Sequence, residues 1–280
     1  MALLQKGYLG ATPLFRNVDW FEAAYTLVNS SAEVSLTANT SAHTKGSYTE
    51  LIASASANAG LLVLMVQDIA VASTNTATLI DIATGASGSE TVIISNLAVG
   101  GAVATAGPTG VAVSIPLQIP SGTRLSARIQ SVVTGGKTAT AQVFLLTASS
   151  DYATAPTSVD VIGGNTANSQ GISFSGASGT WVQATASTSQ AYRAVAIVPS
   201  THNSNIAAFS PQFDVGVGAS GSEQTFGATI VNYNGNEFVQ SSPPYLSLFG
   251  RNIPSGSRLA VKHNITANPD RYGFCLIGIP

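Results

Sequence analysis

Three motifs recur along this chain in one order and at one spacing. Gly46-Ser-Tyr48-Thr-Glu-Leu-Ile-Ala53-Ser-Ala-Ser56 is matched 133 residues on by Gly179-Thr-Trp181-Val-Gln-Ala-Thr-Ala186-Ser-Thr-Ser189. Asp81-Ile-Ala-Thr-Gly85-Ala-Ser-Gly-Ser-Glu90 is matched at the same 133-residue spacing by Asp214-Val-Gly-Val-Gly218-Ala-Ser-Gly-Ser-Glu223. Ile119-Pro-Ser-Gly122-Thr-Arg124-Leu is matched 134 residues on by Ile253-Pro-Ser-Gly256-Ser-Arg258-Leu. This period exceeds the roughly 20–50 residues of solenoid and propeller units and has the size of a domain. The 280 residues therefore divide into an N-terminal arm (1–28), a first domain (29–148), a linker (149–165) and a second copy of the domain (166–280). The linker is marked by Pro156, Gly163 and Gly164, and the arm has no counterpart in the second copy.

Each copy reads as all-β. In the first, Val34–Thr37, Tyr48–Ala53, Leu61–Gln67, Ala77–Ile82, Thr91–Ser95, Val111–Ile119, Arg124–Val133 and Ala139–Thr147 are apolar or alternating runs between Gly, Ser, Asn and Pro turns. The second copy repeats them from Ile172–Phe174 to Arg271–Ile279. Helical periodicity shows only over Val18–Val28. The expected architecture is two tandem, internally duplicated antiparallel β-sandwich domains, jelly-roll-like, with an extended N-terminal arm. A Greek-key immunoglobulin-like sandwich gives much the same pattern.

Charge is scarce. Lys and Arg number 11 and Asp and Glu 13, so charged residues make up 9% of the chain, against about 25% in ordinary soluble domains. Ala, Ser, Thr and Gly together supply 129 residues. Hydrophobic content of 45% argues against disorder. The absence of a cationic surplus argues against nucleic acid as a partner. No apolar run is long enough for a membrane helix; the greasiest, Ala59–Val66, is too short and lies beside Ser-rich sequence. The N-terminus shows no secretory leader pattern, so the expected origin is a reducing cytoplasm. Cys275, the single cysteine, lies in an apolar run and reads as a buried small hydrophobe.

No residue pattern announces a reaction, and no catalytic residue, cofactor or metal is assigned. The Gly-Ala-Ser-Gly-Ser segments lack the Gly-x-Ser-x-Gly spacing of a nucleophile elbow, and none of the three His recurs in the other copy. Gly135-Gly-Lys137-Thr ends like a phosphate-binding loop, but Ser131 stands where its first Gly belongs. The recurring acids, Asp81 and Glu90 in one copy and Asp214 and Glu223 in the other, suit either calcium or an ion pair. Arg124 and Arg258 recur with them, so an Arg–acid brace is expected in each copy, with the choice of acid left open. Tyr48 and Trp181 share a position, either in the core with a polar tip satisfied or exposed to stack on a sugar. In the arm, Tyr8, Phe15, Trp20, Phe21 and Tyr25 concentrate aromatics outside the repeated domain. They are expected to anchor on another subunit, the alternative surface being the second domain.

The run His43-Thr-Lys45-Gly-Ser-Tyr48-Thr-Glu-Leu-Ile-Ala-Ser, with Asp81-Ile-x-x-Gly-Ala-Ser-Gly-Ser-Glu90 and Ile119-Pro-Ser-Gly-Thr-Arg124-Leu, resembles virion structural proteins of tailed bacteriophages. The second domain carries the resemblance more weakly, with Gly176 for the His and Ser178 for the Lys. The resemblance implies a non-enzymatic role in a virion assembled in the host cytoplasm. A capsid cement or decoration protein is the first expectation. It would contact other copies of itself, a trimer by family analogy, and virion proteins such as the major capsid protein. A tail or fibre protein binding a host-surface receptor or glycan is the alternative.

Overall fold

The computed structural model describes residues 26–68, 77–99, 109–147, 154–174, 176–201, 212–230, 233–234, 237–238, 247–266 and 272–280. Every regular element among them is a β-strand, and no helix there is long and apolar enough to cross a membrane.

The first half contains β1 (Thr26–Ser30), β2 (Val34–Thr37), β3 (Thr49–Ile52), β4 (Ala59–Asp68), β5 (Thr78–Thr84), β6 (Thr91–Ala98), β7 (Thr109–Ile119), β8 (Leu125–Ser131) and β9 (Thr138–Thr147). They form two antiparallel sheets, β1–β9–β4–β7 with β2 also on β9, and β3–β8–β5–β6. The second half contains β10 (Asp160–Ile162), β11 (Ile172–Ser173), β12 (Trp181–Thr185), β13 (Tyr192–Thr201), β14 (Gln212–Val217) and β15 (Gln224–Ile230). A small hairpin, β16 (Tyr233–Asn234) and β17 (Glu237–Phe238), precedes β18 (Ser247–Ile253), β19 (Leu259–His263) and β20 (Tyr272–Ile279). Its sheets are β10–β20–β13–β18 with β11 also on β20, and β12–β19–β14–β15. The two halves thus share one strand order. The first strand of each lies beside the last, and each sheet interleaves early and late strands, as in a jelly roll of two Greek keys. An immunoglobulin sandwich would instead group its strands as ABED and CFG.

The period-2 pattern decides which side chains enter each sandwich. Along β9, Ala139, Ala141, Val143 and Leu145 are fully buried while the intervening residues are half-buried. Leu62 and Leu64 of β4, Ile80 and Ile82 of β5, and Ala127 and Ile129 of β8 complete the same core. Each buried Leu or Ile contributes about 1.5–3 kcal/mol relative to an exposed one. The second core is aromatic. Phe174 stacks on Phe213 with centroids 5.0 Å apart, and Phe274 lies 4.9 Å from Phe174.

Two expected boundaries shift. Thr26–Val28, placed in the arm, are already part of β1, whose Thr26 and Leu27 pair with Thr147 and Leu146. The helical periodicity over Val18–Val28 gives way there to a strand, because β9 offers an open edge. The linker supplies β10, whose Asp160–Ile162 pair with Gly278–Leu276.

That linker also joins the halves. Val159 donates its N–H to Ile93 O (3.4 Å), and Gln118 N–H donates to Pro156 O (2.7 Å). Gln130 Nε2 donates to Thr166 O (2.7 Å) and Ser169 Oγ (3.0 Å), and His43 Nδ1 lies 3.0 Å from the same hydroxyl. Gly164 is a glycine because a Cβ there would run into Asn96 O. The non-glycine residues with positive φ among the described residues are His43, Asn96 and Ser169, all at this junction. Such backbone is strained and persists only where its surroundings hold it. One hydrophobic cluster runs through both halves.

Cys275 is fully buried, as expected. It lies on the face of β20 that β6 approaches, within reach of the Ala98 backbone. Burial pushes its thiol up to about 12 against a small opposing contribution from that backbone group. Labelling by a thiol reagent at pH 8 should therefore run about a thousandfold or more slower in the native chain than in denaturant, from thiolate fraction alone. Equal rates in the two states would show that the halves do not close over this cysteine.

Candidate functional site

The recurring polar residues form two clusters in each half. The first is the loop between β5 and β6, and its equivalent between β14 and β15. Gly85 turns the chain at φ 107°, and a Cβ there would lie 2.8 Å from Ser89 O. Ser89 N–H returns to Ala86 O at 3.0 Å, and Ser222 N–H to Ala219 O at the same distance. Glu90 folds back so that its Oε2 accepts from Gly88 N–H at 3.0 Å; Glu223 does the same with Gly221 at 2.9 Å.

Arginine then pins each loop to its sheet. Arg124 Nη1 donates to Glu90 Oε1 (3.3 Å) and Gly85 O (3.1 Å), while its Nε donates to Glu50 Oε2 (2.8 Å) on β3. Arg258 Nη1 donates to Glu223 Oε1 (2.7 Å) and Gly218 O (3.1 Å), and its Nε to Gln183 Oε1 (2.9 Å) on β12. The acid that each Arg takes is thus the Glu of the motif. Burial pushes the Glu223 carboxyl up, but hydrogen bonds from its own backbone, Arg258 and Gly221 outweigh this and hold it below the ordinary carboxylate range.

Asp81 and Asp214 belong to a different cluster, away from both arginines of the braces. Asp81 pairs across the strand with Arg128, and Asp214 with Lys262. Asp81 Oδ2 lies 2.9 Å from Arg128 Nε; its Oδ1 lies 2.8 Å from Lys45 Nζ and accepts from Asn96 N–H at 2.8 Å. Asp214 Oδ2 lies 2.9 Å from Lys262 Nζ, and its Oδ1 accepts from Gln212 Nε2 at 2.7 Å. Each cation in turn covers an aromatic ring. Arg128 stands 4.5 Å from the Tyr48 centroid, and Lys262 stands 5.0 Å from that of Trp181. Burial pushes the Lys45 ammonium below its ordinary value in spite of Asp81.

Tyr48 and Trp181 are therefore half-buried partners of a cation, outside the sandwich core where they were expected. The Trp181 ring also fills the space above Gly216, where a Cβ would lie 2.6 Å from it. Calcium has no vacant carboxylate at these places, since Asp81, Glu90, Asp214 and Glu223 each meet a cation and an N–H donor. No group of three or more His, Cys, Asp or Glu among the described residues could hold a metal ion.

A third anchor lies at the linker strand. Asp160 Oδ2 accepts from Tyr192 (2.6 Å), Ser189 (2.7 Å) and Gln190 (3.1 Å). Burial raises the Asp160 carboxyl, and these three donors together bring it below its ordinary value. Tyr8, Phe15, Trp20, Phe21 and Tyr25, the expected arm anchors, lie outside the described residues.

No protein-family model matches the chain, and no curated protein matches it.

Sequence reasoning missed Lys45, Glu50, Arg128, Gln183 and Lys262. A signal existed for four of them. Arg128 and Lys262 each follow the bracing Arg by four positions, and Glu50 and Gln183 stand two residues after the shared aromatic.

Asp81→Asn should cost about 2–4 kcal/mol in urea unfolding of the full chain. That lies at or below the 3–5 kcal/mol of a broken buried pair, because Lys45 and Arg128 keep some solvent contact. Asp214→Asn, with one cation and a more exposed carboxylate, should cost less, and an equal or larger loss would overturn this ranking. The depressed Glu223 and Asp160 carboxyls contribute stability that is present above the unfolded carboxylate range and is lost as pH falls through their folded values. The melting temperature should accordingly hold from neutral pH to about 4.5 and drop below it. A decline already complete at pH 6 would contradict these assignments.

Proposed function

We propose that this protein is a non-enzymatic structural component of a tailed-phage virion, most specifically a capsid cement or decoration protein that stabilises the particle through subunit contacts. The observation that carries the reading is where the polar groups go. The recurring acids and cations are engaged in closing loops and tying strands together. None is left facing an open cleft as a general acid, base or nucleophile would be. The sequence resemblance to tailed-phage virion proteins supplies the setting, and the scarcity of charge supports surroundings of other protein. The partners are other copies of the chain, threefold by family analogy, and the major capsid protein, without nucleic acid or membrane. The arm, with Tyr8, Phe15, Trp20, Phe21 and Tyr25, is the clamp to neighbouring subunits.

A chain lacking residues 1–25 leaves β1 whole. It should retain its β-sheet circular dichroism and its melting cooperativity while losing attachment to purified capsids. Undiminished capsid binding by this truncated chain would remove the clamp role. Electron cryo-microscopy of virions carrying a tagged copy should place the tag on the head surface. Density at the tail would favour the receptor-binding alternative instead.

A further inference from the structure

In the second half, the outer face of the β10–β20–β13–β18 sheet is apolar and fully covered. Ala196 and Val198 of β13 and Cys275, Ile277 and Ile279 of β20 point away from the Phe274 core, and none is more than 2% exposed. The cover is the first half, whose β6 contacts β10, β13 and β20. Ile93, Ala98 and Val99 of that half are buried at the same time.

Among the described residues the equivalent face of the first half is covered only in part: Leu61 and Ser114 are buried and β17 contacts β7, while the neighbouring positions of β4 and β9 stay open. Register makes the correspondence exact to the residue: Leu61 pairs with Leu146 and Val63 with Phe144, as Ala194 pairs with Ile279 and Ala196 with Ile277. Yet Met65, the counterpart of Val198, is 44% exposed, and Leu27, beside Leu146 at the edge, is 53% exposed. Val63, Phe144 and Leu146 are only half-buried. Gln142 stands where the second half has Cys275, its amide donating to Ser31 O at 3.1 Å, and Ser114 lies beside Val63; the open part around Met65, Val63, Phe144, Leu146 and Leu27 is apolar, and such a patch marks an interaction site. The repeat itself supplies an element that fits it: the strand that covers the second half is β6, and the strand equivalent to β6 in the other half is β15, with Phe226 standing where β6 has Ile93.

We infer that the outer face of the β1–β9–β4–β7 sheet is the docking surface for a second copy of this chain, which covers it with its β15 edge as β6 covers the second half within one chain. The contact is head-to-tail, with different patches on the two partners. It rests on the geometry of the two halves and not on the virion reading. Loss of self-association in solution and loss of capsid binding are therefore separate results.

The test is sedimentation of the full chain with two single variants. Met65→Arg alters the sheet face, and Phe226→Arg alters the β15 edge. The unaltered chain should associate with rising concentration, and each variant should weaken association by about thirtyfold or more, the effect of losing an interface anchor. An equimolar mixture of the two variants should form a one-to-one dimer and nothing larger, because each retains one intact patch. Circular dichroism and melting establish that both are folded. Phe226 packs partly against the core, so Ala228→Arg, a half-buried position on the same strand, replaces it if Phe226→Arg does not fold. A chain that stays monomeric at about 100 μM, a concentration where even weak specific contacts form, would overturn the inference. So would association unaffected by Met65→Arg. Failure of the mixture to pair would overturn the head-to-tail arrangement, since a two-fold contact uses one patch on both partners.

Discussion

A strand that is apolar on both faces must be covered twice, and β20 is such a strand. All eight of its residues are buried. Phe274 and Leu276 face the core of their own sandwich, while Cys275, Ile277 and Ile279 need a second cover. Among the described residues that cover comes from the other half, whose β6 contacts β20. The halves are consequently not two beads on a flexible string. The connecting segment contributes β10 to the second sheet, hydrogen-bonds to Ile93 and Gln118 of the first half, and leaves Ala98 over Cys275. Small residues make the close approach work. Ala194, Ala196 and Gly273 occupy positions on this outer face, and Gly164 passes directly over Asn96. Three strained non-glycine residues at the junction show that local backbone preference gives way to this contact.

Where apolar packing does the joining, charge is free for another task. Sheet faces turned away from the sandwich cores carry rows in which an aromatic ring, a cation and a carboxylate stand side by side on three neighbouring strands. Trp181, Lys262 and Asp214 are one row, in register across β12, β19 and β14. Arg128 and Asp81 pair across β8 and β5 in the other, with Tyr48, just ahead of β3, under the guanidinium. The Arg braces act at the ends of strands instead, where the ladder stops and backbone groups need partners. Arg124 and Arg258 each satisfy a carbonyl of the turning glycine as well as a carboxylate. Hydrogen bonds to charged groups contribute about 1.5–3 kcal/mol each, more than a neutral bond. Few such groups are therefore enough to fix the loops of a chain this poor in charge.

Sequence reading reached the all-β class and the strand order of the motifs because alternation and turn residues are local signals. It also reached Arg124 with Glu90 and Arg258 with Glu223 as members of one set, because both halves carry them at one spacing. It did not reach Asp81 with Arg128, since a cross-strand pair depends on register, and register is set by bulges and turn lengths that no local pattern states. Glu50 was hidden for a related reason: its counterpart is Gln183, so charge is not kept while the hydrogen bond to Arg is. The junction was the least legible. His43, Asn96 and Ser169 have no like residue in the other half, because a contact between halves occurs once in the chain and leaves no repeat to detect.

That single occurrence also determines how copies of the chain can meet. Within the chain the halves meet through unlike patches, β6 of the first against the β10–β20–β13–β18 sheet of the second, which a two-fold contact would not do. The same rule applied once more leaves β15 and the β1–β9–β4–β7 face as unlike ends. Contacts between unlike ends build a ring when the rotation per step closes and a filament when it does not. The segment before β10 reaches β6 through Val159 and β7 through Pro156. Two copies have no such covalent tether, so a contact between them has to be stabilised by the patches themselves.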